Sequence, residues 1–256
     1  MNLSKLYRTE AIVLRRKGLG EADSLLTLYT SRLGKVRAVA RGAQRPRSKL
    51  GGHLEPLTYC EMQLAQSRNL DIVTQCETIE GFLPLRNDLW RSSCAVYTVE
   101  LVDRFTAEKQ ENYAIFNLLL DTLRRLCQVS NSDALLRCFE LHLLDCLGYR
   151  PQLQQCVNCN LALSPRLKFF SASAGGVLCV SCHGQELHAQ PLSGNALKAL
   201  RFLQRHDYPV ACRLRMSPQL AQEVEQLLQK YIRYLAEQEI KSAAWLNRLR
   251  SSTDRG

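Results

Sequence analysis

The sequence predicts an α+β chain: a small N-terminal β-barrel, then an α-helical domain with an inserted four-cysteine module. Three observations point to it. Short segments of period-two alternation fill roughly the first 80 residues. Beyond Phe82 the apolar residues change to helical spacing. Two Cys-x-x-Cys pairs then sit in a stretch where that helical spacing is lost.

Strands are expected near residues 7–16, 24–30, 35–41, 57–65 and 70–80. In the fourth, Cys60, Met62 and Leu64 share one face and Tyr59, Glu61 and Gln63 the other. In the fifth, Leu70, Ile72, Thr74 and Cys76 alternate with Asp71, Val73, Gln75 and Glu77. Gly18-Leu19-Gly20, Arg32-Leu33-Gly34 and Ser67-Arg68-Asn69 supply the turns. Five short strands in so little chain suit the OB-fold, a five-stranded barrel. The barrel domain is assigned to residues 1–81.

The helical domain is assigned to residues 82–245. Helical spacing runs through Leu89, Cys94, Val96, Val99, Leu101 and Val102, and again through 115–127. The next helix has Ser132 as its cap and Asp133 in its first turn. Leu136, Phe139, Leu143 and Leu147 form its face, and Gly148 with Pro151 ends it. Further helices fit 193–205 and 218–238, the latter opened by Pro218. The basic tail, 246–256, with Arg248, Arg250 and Arg255, is expected to fray.

The inserted module, 153–185, carries Cys156, Cys159, Cys179 and Cys182, with 19 residues between the two pairs. Two residues between sulfurs let one tight turn aim both thiolates at one ion, and two turns complete a tetrahedron. Metal binding would supply folding energy to a segment short of large apolar residues. Four thiolates leave no open position, so the ion is expected to be a structural Zn2+. His183 and His188 are alternative fourth ligands; solvated rings are the simpler expectation. Cys60, Cys76, Cys94, Cys127, Cys138, Cys146 and Cys212 lack paired spacing and read as core thiols.

Composition bounds the function. The 256 residues carry a formal charge of +10, with 46% hydrophobic and 23% charged residues, and a pI near 9.2. A positive field of this kind draws polyanions. No apolar run approaches the roughly 18–20 residues needed to cross a bilayer. The first residues lack a signal-peptide core, so a cytoplasmic protein with reduced thiols is expected.

The positive charge has a focus. No Asp or Glu lies between Ser24 and Leu54, whereas Arg32, Lys35, Arg37, Arg41, Arg45, Arg47 and Lys49 all do. Cations on phosphates release counterions, so this stretch is the candidate nucleic-acid contact, binding backbone without reading sequence. Gly42 at one end and Gly51-Gly52 at the other are expected to make the loop mobile. Tyr7, Tyr29 and Tyr59 are available in the barrel region as stacking faces, although core or rim positions are commoner for such rings.

Motifs for other chemistry are missing. There is no G-x-x-x-x-G-K-[ST] loop, no H-E-x-x-H and no G-x-S-x-G. No carboxylate cluster suits two-metal hydrolysis. The expectation is a protein that is not an enzyme. An RNA-binding factor built from an OB barrel and a zinc ribbon is the alternative, and a zinc-dependent hydrolase is the third reading.

The order of residues resembles one family. Glu21-Ala-Asp23, Leu25-Leu26-Thr-Leu28-Tyr-Thr, Gly34-Lys35, Ala40-Arg-Gly-Ala43 and Arg47-Ser-Lys49 are similar to the N-terminal barrel of the bacterial DNA repair family RecO. Phe139-Glu-Leu-His-Leu-Leu, Gly148-Tyr-Arg-Pro151, Leu153, Phe169-Phe170, Gly175-Gly176 and the two cysteine pairs continue the likeness over nearly the whole chain. The resemblance implies binding of single- and double-stranded DNA and annealing of complementary strands. It implies action with RecR in loading RecA onto DNA coated by single-strand-binding protein (SSB), and a cytoplasmic, nucleoid-associated location. It also implies that the helical domain contacts the acidic SSB tail; Arg124, Arg125 and Arg137 are the candidate contacts. Some members of the family lack the four cysteines, whereas all four are present here.

Overall fold

The computed structural model describes residues 5–129, 132–163 and 168–253. The chain forms two compact units, Met1–Gln128 and Val129–Gly256. Arg255 of the tail lies outside the described residues.

The first unit begins with β1 (Leu6–Leu19), β2 (Asp23–Thr30), β3 (Gly34–Ala40), β4 (Tyr59–Ala65) and β5 (Asp71–Glu80). They close into a barrel in the order β1-β2-β3-β5-β4. All neighbours are antiparallel except β3 and β5. That is the topology of an OB-fold barrel. Its interior is filled by Ala11 and Val13, Leu26 and Leu28, Ala38 and Ala40, and Cys60, Met62 and Leu64. These are the alternate residues of each strand, as the pleat requires.

Three bulges break the alternation, one of them at Ile79, where Tyr59 faces Glu80 and Cys60 faces Thr78. The β1–β2 register shifts between Val13 and Arg15. Leu14 is the extra residue, so Arg15 and Lys17 point out while Arg16 falls in line with the interior row. In β5 the partner of Gln63 is Gln75 and that of Leu64 is Val73. Thr74 is therefore extra, and Val73 and Cys76 both pack on the core. The continuous alternation expected for β5 does not hold, because one inserted residue reverses every later side chain.

Three helices follow in the same unit: α1 (Leu83–Arg86), α2 (Leu89–Phe105) and α3 (Tyr113–Leu126). Asp88 accepts from Arg91 N–H and Asn112 from Ile115 N–H, so both longer helices have side-chain caps. The barrel strands end at Glu80, and the compact unit runs on to Gln128. The cause is visible on β2, β3 and β4. Tyr29 is fully buried and donates to the Asn112 carbonyl, Lys35 reaches Asp103, and Tyr59 packs edge-on to Phe116. Gly34, at φ +62°, lets the loop before α3 close in: a Cβ there would sit 1.8 Å from the Gln110 oxygen.

The second unit is built on α4 (Asp133–Cys146), packed with α5 (Gly194–Arg205), α6 (Tyr208–Ala211) and α7 (Pro218–Ala236). Leu136, Phe139 and Leu143 are buried, as the helical spacing predicts. Ser132 stands at the cap position but makes no side-chain cap hydrogen bond. Gly148 ends the helix at φ +80°, with Gly148 and Tyr149 N–H returning to the Asp145 and Leu144 carbonyls. Between α4 and α5 lie β6 (Phe169–Ser171), β7 (Gly176–Leu178) and β8 (Gln190–Pro191), in the order β7-β6-β8.

The tail is helical over most of its length. Residues 241–253 form α8 (Lys241–Thr253) rather than a frayed end. Leu246 is 2% exposed. Arg250 bonds Asp133 at 2.5 Å and also pairs with Glu225 of α7. A buried apolar residue and an arginine shared by two carboxylates hold the helix down.

Candidate nucleic-acid interface and metal centre

The basic stretch divides in space. On β3, Lys35 is only 14% exposed and its ammonium lies 3.3 Å from Asp103 of α2. It also donates to the Asp103 carbonyl at 2.6 Å. Arg37 lies 3.8 Å from Glu108. Arg15, which faces outward two strands away in the same row, bonds Asp103 at 2.8 Å. The acids lacking in the local sequence therefore arrive from α2 and the loop after it.

The second half is different. Arg41, Arg45, Arg47 and Lys49 are exposed. Among the described residues none of them has a carboxylate partner. Their loop is not loose. Gly42 N–H donates to Asp23 Oδ1 at 2.8 Å, and Gln44 N–H to the Ala22 carbonyl at 2.8 Å. Ser48 N–H returns to the Arg45 carbonyl at 2.9 Å. Ala43 and Leu54 plug the end of the barrel core. Arg16, placed inward by the β1 bulge, donates to the carbonyls of Gly51 (2.9 Å) and Ala43 (3.3 Å) and to Glu55 (2.5 Å). The expected mobility is thus replaced by a pinned loop. Gly51 serves close approach: a Cβ there would stand 2.7 Å from the Ala43 oxygen.

Arg32, on the β2–β3 turn, is exposed and lies at the other end of β3 from Arg41. Lys17 is an outward, exposed cation that the local reading of charge missed; the alternation of β1 was the available signal. Tyr29 and Tyr59 are buried and offer no face for stacking. Tyr7 donates its hydroxyl to Asp71 at 2.6 Å.

The three arginines considered as partner contacts are scattered. Arg124 bonds Glu80 at 2.8 Å and lies 5.7 Å from the centre of the Tyr59 ring. Arg125 bonds Asp121 one turn earlier at 2.8 Å. Arg137 is 2% exposed, bonded to Glu140 at 2.9 Å and near Glu225 at 3.7 Å. It is part of the α4–α7 core, because a cation on a buried helix face survives only when paired. No incoming peptide can reach it there.

The four cysteines converge. The Sγ atoms of Cys156, Cys159, Cys179 and Cys182 all lie within 4.8 Å of one another. Cys159 and Cys179 are 3.8 Å apart. Four bonds of about 2.3 Å from a tetrahedral zinc place sulfurs about 3.8 Å apart, so the donor set fits that ion. Each pair sits on a tight turn: Asn160 N–H returns to the Cys156 carbonyl and Cys182 N–H to that of Cys179. Gly176 gives the close approach between β7 and the incoming chain, since a Cβ there would meet the Gln152 oxygen at 2.5 Å. Burial works against ionisation of Cys156, but N–H groups of Cys159, Cys179 and Asn158 outweigh it and lower its pKa to about 6. Cys182 is pushed up to about 12 by its neighbour Cys179. Crowded thiols cannot all ionise without a cation between them. His183 and His188 are outside the cluster. His183 stacks on Phe169 at 3.9 Å and its Nδ1 engages the Val180 carbonyl.

Among the described residues no helix is long and apolar enough to cross a membrane. Residues 1–82 match the family described as "Recombination protein O N terminal", and residues 86–244 match "Recombination protein O C terminal". The chain is 46% identical to the DNA repair protein RecO of Roseiflexus sp. (strain RS-1), over 96% of its own length and 87% of that protein. It is 38% identical to the RecO of Dehalococcoides mccartyi (strain CBDB1), over 95% and 96% of the two chains. It is 36% identical to that of Desulforamulus reducens, over 98% of each.

Proposed function

The chain belongs to the RecO family of DNA repair proteins, and from that premise we propose that it is a non-enzymatic recombination mediator of the cytoplasm and nucleoid. It binds single- and double-stranded DNA, anneals complementary strands and, with RecR, helps load RecA onto SSB-coated DNA. One observation carries the DNA-binding part: Arg41, Arg45, Arg47 and Lys49 stand, among the described residues, without carboxylate partners on a loop pinned to the end of the barrel. Phosphates would supply the missing counter-charge. Neutralising two strands lowers the repulsion that opposes their pairing. Arg16 and Asp23 act as positioning residues, since they hold the loop without facing solvent phosphates themselves.

The test is the triple variant Arg45→Ala, Arg47→Ala, Lys49→Ala. Its affinity for a single strand should fall, and the slope of log affinity against log salt should shrink by about 2, at about 0.7 for each phosphate no longer neutralised. An unchanged slope removes the loop from the interface. Annealing of complementary strands coated with SSB, with and without the SSB tail, tests the mediator role. No annealing under either condition leaves the fold and removes this function. For the tail contact, Arg124 and Arg125 are the residues to vary.

The four thiolates are proposed to hold a structural Zn2+. The ion would cross-link the two turns and release protons on binding, with no vacant position for water. Chelation should cost the inserted module its order, read as lost amide protection over 152–163 and 168–191. The loop variant's DNA phenotype should be the same in chelated and loaded protein. Metal in only a small fraction of molecules, with the module still ordered, would remove the zinc assignment.

A further inference from the structure

The barrel has a second cationic feature, away from the loop. A cleft of about 330 Å³ opens where the start of β1, the β2–β3 turn and the β4–β5 turn meet. Lys5, Arg8, Arg32 and Lys109 line it. All four are exposed, and among the described residues none pairs with a carboxylate. The one acid in the lining, Asp71, is 3% exposed and already engaged. Its Oδ2 accepts from Tyr7 and its Oδ1 from Ser67 N–H. It spends its charge on the wall of the cleft and leaves the four cations unbalanced.

We infer that this cleft is a second backbone-phosphate site for nucleic acid, independent of the Arg41–Lys49 loop. The inference rests on the DNA-binding reading above. The lining favours phosphate over an acidic peptide. Peptide recognition draws most of its energy from buried apolar and aromatic anchors. Here the apolar part of the lining is Leu33 and the Tyr7 ring, whose hydroxyl is tied to Asp71, and the exposed Gln66 amide stands beside the four cations. Four cations around a small cleft, with an amide beside them, are what a phosphodiester takes.

Independence follows from position. The loop grips β1 at Arg16, and the cleft begins at Lys5 and Arg8. Eight residues of strand separate Arg8 from Arg16, up to about 26 Å at a rise of about 3.3 Å each. Exposed charges are screened over about 8–10 Å at ordinary salt. Two segments of backbone can therefore be held at once with little mutual repulsion.

The experiment uses the full chain and a fluorescent 40-nucleotide oligo-dT. The double variant Arg8→Ala, Lys109→Ala should reduce the salt slope by about 1.4 and weaken affinity roughly 10-fold at ~0.1 M salt. Combined with the loop variant, the losses should multiply, as for distant sites. Both side chains are exposed and, among the described residues, without a carboxylate partner, so thermal melting should not change. Arg8→Glu is the second variant and should weaken binding further. A wild-type slope in both variants, with wild-type protein still binding DNA, overturns this inference alone. Wild-type protein with no DNA affinity overturns the functional reading and this inference together. Loss of oligo-aspartate binding with the DNA slope retained assigns the cleft to an acidic peptide and also overturns it.

Discussion

The two halves of the basic stretch are alike in charge and lack of acids but differ in electrostatics. Lys35 and Arg37, on β3, face Asp103 and Glu108 from the α2 region. Arg41, Arg45, Arg47 and Lys49, a few residues on, face solvent. The difference teaches that an acid-free window in sequence is not acid-free in space. Lys35, mostly buried beside Asp103, offers little to a phosphate, because a new partner must first displace the old one. The charge available for binding is set by what the helices cover, and they cover the strand and not the loop.

The largest expected effect tests how the loop is held. Arg16 joins the barrel interior to the loop through the Gly51 and Ala43 carbonyls, the Ser24 hydroxyl and Glu55. Arg16→Ala strands these acceptors in a half-buried setting. We expect a loss of about 2–3 kcal/mol in stability, read by denaturant unfolding. DNA affinity should fall as well, although Arg16 does not itself meet a phosphate. Arg16→Lys should restore little, because an ammonium cannot span the same forked set of acceptors. Full stability with Ala would mean that the loop is held by Asp23 and Ala43 alone.

Lys35→Ala should separate stability from binding. It removes a mostly buried ion pair and a hydrogen bond to the Asp103 carbonyl. About 1–2 kcal/mol of stability should go, while the DNA salt slope stays within error. A slope smaller by about 0.7 would instead place Lys35 on a phosphate and erase the contrast between the two halves.

How much of this was legible follows from the range of the interactions. The barrel was legible because each strand buries one face, so alternation reports it directly. The bulges at Leu14, Thr74 and Ile79 were not, since nothing in the local composition marks the extra residue. The metal cluster was legible because its ligands come in local pairs at a fixed spacing. α8 was not: its anchor, Arg250, depends on Asp133 and Glu225, far away in the chain. Arg137 lay between these cases. Glu140, three residues on, was a local sign of pairing, but its burial came from α7. The cleft cations Lys5, Arg8, Arg32 and Lys109 form no run, so only the fold brings them together.

The smallest expected effect is the sharpest test of the opening contrast. Asp103 holds both Arg15 at 2.8 Å and Lys35 at 3.3 Å. Asp103→Asn keeps the shape and the backbone carbonyl that Lys35 uses, and removes only the charge. Arg15 is 53% exposed and would be released to solvent; Lys35, at 14%, would stay covered. One freed cation should steepen the single-strand salt slope by at most about 0.7 and raise affinity about 2- to 5-fold at low salt. The gain should fade as salt rises, as any exposed ion pair must. A gain of that size means that the outer face of β1–β3 lies under the DNA and that Asp103 tempers its hold. No gain means that the DNA path keeps to the loop side, and that pairing on the strands serves the fold alone.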